Sequence, residues 1–168
     1  SGLMNIDTGK IRRLRDALVK GGRLAAAQGE VSGRNDDRHL AAVQRVSPMV
    51  EVMYLMMAID GDVGEDERAS IQGALKLLTD GMVSNEHLDG MLADFDTLAR
   101  QEGVEARLQA IGNKICRDRL DRETAFSLAA AVAMADGRVA EEESLLVTSI
   151  AEWFGISSRR CHELLSSF

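Results

Sequence analysis

Several residue types are scarce in this sequence, and each shortage removes a class of answer. Its two cysteines, Cys116 and Cys161, fall in helical patterns without a C-x-x-C spacing. In a reducing compartment they read as two small buried hydrophobes with no chemistry of their own. One Trp, one Tyr and four Phe supply little stacking surface, so nucleic acid is not an expected partner. No apolar run approaches the ~20 residues of a membrane-spanning helix. The opening Ser1-Gly2-Leu3-Met4 lacks the basic-then-apolar pattern of a secretory signal, so the expected compartment is the cytoplasm. A chain of 168 residues buries roughly two-thirds of its unfolded surface on folding, and its core needs neither a disulfide nor a structural metal.

Charge is present but unevenly spread. Residues 1 to 45 carry nine Lys/Arg against five Asp/Glu, whereas residues 46 to 168 carry eleven against twenty-two. An acidic body repels phosphate backbones and suits a cation or a basic partner better.

Apolar residues recur at spacings of three and four, with almost no alternation of period two, which predicts an all-α bundle of seven to eight helices. A basic helix from about Lys10 to Ala27 comes first, and the Gly-containing stretch from Gly29 to Arg34 reads as a linker. This divides the chain into a basic helical segment with its linker at 1–46 and a helical domain at 47–168. Ser47-Pro48 reads as a cap followed by a first helical residue, which separates a helix at Asn35 to Val46 from one ending near Ile59. The second of these is apolar nearly all round and belongs at the centre of the bundle. Asp121 and Ser157 are plausible caps for later helices.

One internal similarity stands out. Asp60-Gly61-Asp62-Val63-Gly64-Glu65-Asp66-Glu67 and Asp136-Gly137-Arg138-Val139-Ala140-Glu141-Glu142-Glu143 share the pattern D-G-x-V-x-E-x-E at a register shift of 76 residues, from Asp60 to Asp136. Apolar positions keep matching on both sides, as in Val52 with Leu128 and Ile71 with Val147, so the domain reads as an internal duplication of a helix-turn-helix pair. Folding alone can account for each motif residue. Gly61 and Gly137 would end a helix in the left-handed conformation, Val63 and Val139 would make the contact beyond it, and the glutamates favour the positive end of the next helix.

The number of carboxylates goes beyond that account. Two bare carboxylates ~8 Å apart repel by about 2 kcal/mol at an effective dielectric of ~20, and several together favour a cation. With Asp60 at position 5 of an EF-hand loop, Gly61, Val63 and Glu67 fall on positions 6, 8 and 12. Positions 1 and 3 then become Met56 and Ala58, or Val132 and Met134 in the second copy. A lone EF-hand is thereby excluded, and an ion would be shared between the copies or held with several waters.

At this doubled motif the chain resembles the TerB-like family of bacterial tellurite-resistance and stress-response domains, in which helical segments end in A-D-G-x-[VI]-x-x-x-E. The matching residues are Ala58 to Val63 with Glu67, and Ala135 to Val139 with Glu143; Phe154-Gly155-Ile156-Ser157 resembles the family's step into its last helix. The similarity covers about Ser47 to Phe168. It departs at Ile59, where alanine is usual, and at Gly64, where a capping Ser is common. The resemblance implies an all-helical duplicated fold, no enzymatic reaction, and a divalent-cation site at Asp60, Glu67, Asp136 and Glu143. Calcium is the expected ion, with manganese and magnesium as alternatives. Relatives beside a J-domain in membrane-linked co-chaperones imply a protein partner and an inner-membrane-associated complex.

The remaining features read as structural. His39, His87 and His162 lie far apart, with no zinc-ligand spacing. Cys161 and His162 point ~100° apart on one helix, a poor nucleophile and base pair. Eight Met, five of them between Met49 and Met82, fill core gaps more readily than they line a groove. Arg117, Arg119, Arg122, Arg159 and Arg160 could form a basic patch. A metal hydrolase is disfavoured because no His or nucleophile joins the acids. The expectation is a non-catalytic, cation-binding stress-response domain; the alternative is a metal-free interaction module whose acidic face receives a basic partner segment or whose basic first helix seeks an anionic membrane or protein surface.

Overall fold

The computed structural model describes residues 6, 8–20, 35–59, 63–79, 81, 83–135 and 141–167, with the backbone alone at 35–42 and 141–144. Within them the chain forms eight helices and no strand: α1 (Thr8–Lys20), α2 (Asn35–Ala58), α3 (Glu65–Leu78), α4 (Asn85–Glu102), α5 (Val104–Ile115), α6 (Arg119–Ala135), α7 (Glu141–Trp153) and α8 (Ser158–Ser166). The all-α expectation holds. The proposed linker at Gly29 to Arg34 lies outside the described residues.

Local chemistry explains several of the boundaries. The Ser84 and Ser157 hydroxyls accept hydrogen bonds from the backbone N–H of His87 and Arg160, satisfying donors that a helix start leaves open. After α4 the chain turns at Gly103, whose φ of 94° an L side chain rarely adopts. Two expected boundaries are corrected. Ser47-Pro48 starts no helix, because α2 runs unbroken through Pro48. An interior proline removes one backbone hydrogen bond and costs ~3 kcal/mol. Here the carbonyl left over is that of Gln44, an exposed residue, and the apolar run beyond is buried on every side. Nor does Asp121 cap α6. The Asp118 carboxylate accepts from the backbone N–H of Asp121 at 3.0 Å, so the helix starts three residues earlier, and Asp121 is buried within its first turn.

The core is one cluster that joins all eight helices. Its centre is α2, with Met49, Val50, Val52, Met53 and Leu55 buried, against α6, with Ala125, Phe126, Leu128 and Ala129 buried. These two make the most extensive contact of any helix pair. Small side chains on α6 allow that approach. Helix α5 meets α7 at Gly112, where an added Cβ would come within 2.5 Å of the Trp153 carbonyl oxygen. Helix α1 packs on α3 and α6, with Ile11 and Leu18 both 0% exposed. Among the described residues, no helix is long and apolar enough to cross a membrane.

Candidate functional site

Both motif copies sit between a central helix and the helix that follows it. In the first, α2 ends at Ala58, and Ile59 N–H still donates to the Leu55 carbonyl at 3.1 Å. Residues 60–62 lie outside the described set. Val63 then packs against the core as expected. Gly64 occupies the cap position of α3 in an extended conformation without a side-chain cap. In the second copy α6 ends at Ala135 and α7 begins at Glu141, so α7 starts 76 residues after α3, at the offset of the motif itself.

Of the four candidate ligands, the structure describes only the side chain of Glu67. It is half-buried in the first turn of α3, beside exposed Glu65 and Asp66. Three carboxylates in a first turn complement the positive end of the helix. Asp60, Asp136 and Glu143 lie outside the described side chains, as do Gly61, Gly137 and Val139. Among the described residues, no group of three or more His, Cys, Asp and Glu could hold a metal ion. What the structure does place is the frame: the helices that lead into the two turns, α2 and α6, lie against each other.

Polar pairs between helices fix that frame. Glu51, 5% exposed within the buried run from Met49 to Met57 of α2, accepts a two-pronged contact from Arg107 of α5 at 2.7 and 2.9 Å. These hydrogen bonds hold the guanidinium pKa above its usual value. One turn further along, the Tyr54 hydroxyl donates to Asp96 of α4 at 2.8 Å. Burial first, and then this hydrogen bond to a carboxylate, push the phenol pKa up to about 12. The same hydrogen bond holds the Asp96 carboxyl below its ordinary value, helped by Arg100 at 3.0 Å. On α6, Glu123 accepts two 2.8 Å hydrogen bonds from Arg160 of α8, which depress its pKa. Arg45 of α2 reaches Asp121 at 2.9 Å and Asp118 at 3.3 Å near the start of α6.

Sequence reasoning passed over these pairs, though one signal was available. A lone Glu in a helix that is apolar on every side must meet a cation, since an unpaired buried charge is too costly. Of the five arginines of the suggested basic patch, Arg117 is exposed and the other four have partners. Arg119 and Arg160 pair with Glu123, Arg159 pairs with Glu163, and Arg122 donates to the Cys116 carbonyl. Cys161 is buried, which raises its thiol pKa, while His162 beside it is exposed; this is the divergence that helix geometry requires. His87 is exposed at the start of α4, and the His39 side chain is outside the described set. Met49, Met53, Met56 and Met57 are core residues, whereas Met134 is exposed.

Residues 47–165 match the model of the family described as TerB, tellurite resistance protein TerB. No curated protein and no solved structure matches the chain.

Proposed function

The chain belongs to the TerB family of tellurite resistance proteins, and from that membership we propose that it is a non-catalytic stress-response domain whose two acidic turns bind a divalent cation. Asp60 and Glu67 would serve from the first turn, Asp136 and Glu143 from the second. Carboxylate donors without His or Cys suit a hard ion such as calcium, manganese or magnesium rather than zinc or copper. One observation supports the reading above the others. The helices that deliver the two turns make the most extensive contact of any helix pair, and α3 opens with three carboxylates, of which Glu67 is half-buried.

Calorimetric titration of the intact chain with calcium or manganese tests this directly. The expected result is binding at low millimolar affinity or tighter, weakened about tenfold by Asp136→Asn and by Glu67→Gln, since each removes one charged ligand. A flat titration of the unaltered protein rejects it.

A second reading is a metal-free scaffold in the cytoplasm, like the helical domains of membrane-linked co-chaperones, whose acidic face receives a basic segment of a protein partner. Its support is the charge balance of residues 46 to 168, eleven basic against twenty-two acidic. Insertion of α1 into a lipid surface is not part of this reading, because Ile11 and Leu18, the apolar face it would need, are spent in the core.

A further inference from the structure

Helix α1 lies outside the residues 47–165 that match the family, yet its apolar side chains belong to the core. Ile11 and Leu18 are fully buried, Leu14 and Val19 are partly buried against the same cluster, and Arg12, Arg13, Asp16 and Lys20 face water. Among the described residues α1 packs only on α3 and α6, whereas α2 packs on α3, α4, α5 and α6. A hydrogen bond from Lys10 Nζ to Ser167 Oγ at 3.1 Å ties α1 to the residue that caps α8, and neither partner lies in the matched range. The seat on α3 is not filled. Ser70, Gly73, Ala74 and Leu77, at the three-and-four spacing of one helix face, line a cavity of about 220 Å³ with Ile6 and Ile11. A Cβ added at Gly73 would meet nothing within 4 Å.

We propose that α1 is a detachable strap over a helix-binding face of α3 and α6. It leaves that face by a local opening in which the other helices stay folded, and a basic amphipathic helix of a partner protein then takes its place. Segments held by few buried contacts open before the rest of a fold. The cavity acts in the same direction, because side chains that line a void lack partner atoms on one side. Charge defines the replacement. Helix α1 carries five Lys/Arg against one Asp and lies on a body with eleven basic and twenty-two acidic residues. A partner helix must therefore repeat both the basic surface and the apolar spacing of Ile11, Leu14 and Leu18. Being joined to the domain, α1 has a high effective concentration. A free helix displaces it only by filling the seat better or when the grip of α1 is weakened.

The test uses the full chain in chelator, so its result is independent of cation binding. In native-state hydrogen exchange, the amides of Leu14 to Val19 should be at least about tenfold less protected than those of Met49 to Leu55 in α2 and Ala125 to Ala129 in α6. Equal protection in the three helices makes α1 part of one cooperative core and overturns the proposal. Gly73→Leu should raise the protection of α1 about tenfold over Gly73→Ala, which replaces the same glycine without filling the cavity, and leave α2 and α6 unchanged. Replacement is read by anisotropy with a fluorescent peptide of residues 8–20. It should bind Leu18→Ser, whose own strap is weakened, about tenfold more tightly than the unaltered chain, and a peptide carrying Ile11→Ser and Leu18→Ser should bind neither. Equal affinity for the two chains, or no binding to either, overturns the helix-binding face. An unfolded Leu18→Ser chain, seen by circular dichroism, also overturns the proposal, because a strap loosens without taking the other helices with it.

Discussion

The helix pairs α2–α3 and α6–α7 carry the same acidic turn, but their central helices are held in different ways. Helix α2 is large-residued and directed. It presents Glu51 to Arg107 and Tyr54 to Asp96 from within a buried stretch, and such bonds fix rotation as well as position. Helix α6 is small-residued and close-fitting, with Thr124, Ala125, Ser127, Ala129, Ala130 and Ala131 buried. Its charged contacts to other helices, Asp121 with Arg45 and Glu123 with Arg160, fall near its start, far from the turn at its other end. The first turn is thus reached from a helix pinned by specific partners in its second half, and the second from a helix located by packing.

The largest test of that difference removes Arg107. Glu51 is then left buried without its cation, and breaking a buried pair from one side costs ~3 kcal/mol or more. Arg160→Ala should cost only about 1 kcal/mol, because Arg160 is partly exposed and Glu123 keeps Arg119 at 3.3 Å. Urea denaturation of the two variants reads both values. Equal losses would show that the two central helices are held alike.

How much of this was legible in the sequence follows from which forces are local. The spacing of three and four gave the helices, and Ser157 announced the start of α8, because periodicity and capping act within a few residues. Pro48 misled for the same reason: its local preference for a helix start was outweighed by burial of the run from Met49 to Met57, a tertiary effect. Asp121 looked like a cap and is instead a buried partner of Arg45, a contact between residues 76 positions apart that no local pattern encodes. The pairing of Glu51 with Arg107 was half legible, since the need for a cation could be read from the helix but its identity could not. At the candidate site the carboxylates were read from their pattern, and of the four only Glu67 is placed by the structure.

The directed side of the comparison has an intrinsic probe, because Tyr54 is the sole tyrosine. Tyrosinate absorbance should titrate near 12 in the folded protein, well above the usual 10, and near 10 in urea. The sign for stability follows. A phenol whose folded pKa is raised contributes stability below pH ~10 that is lost as pH climbs toward the folded value, so the urea midpoint should fall through this window. Asp96→Asn should lower the folded midpoint only part of the way, since burial is the larger cause. A native titration near 10 would place Tyr54 in water and remove a bond that pins the second half of α2.

The smallest expected effect lies on the packed side. Arg160 depresses the Glu123 pKa, so that pair stabilises the fold above the ordinary carboxylate range and is lost as pH falls through the depressed value. In urea midpoints taken from pH 6 to 3, the wild type should decline more steeply than Glu123→Gln, and the gap between them should narrow below about pH 4. Parallel curves would mean that α8 is held by Cys161, Leu164 and Leu165 against the core and gains nothing from the ion pair. In that case α6 beyond its Asp121–Arg45 contact would depend on close packing, and the contrast with α2 would be sharper than the charges alone suggest.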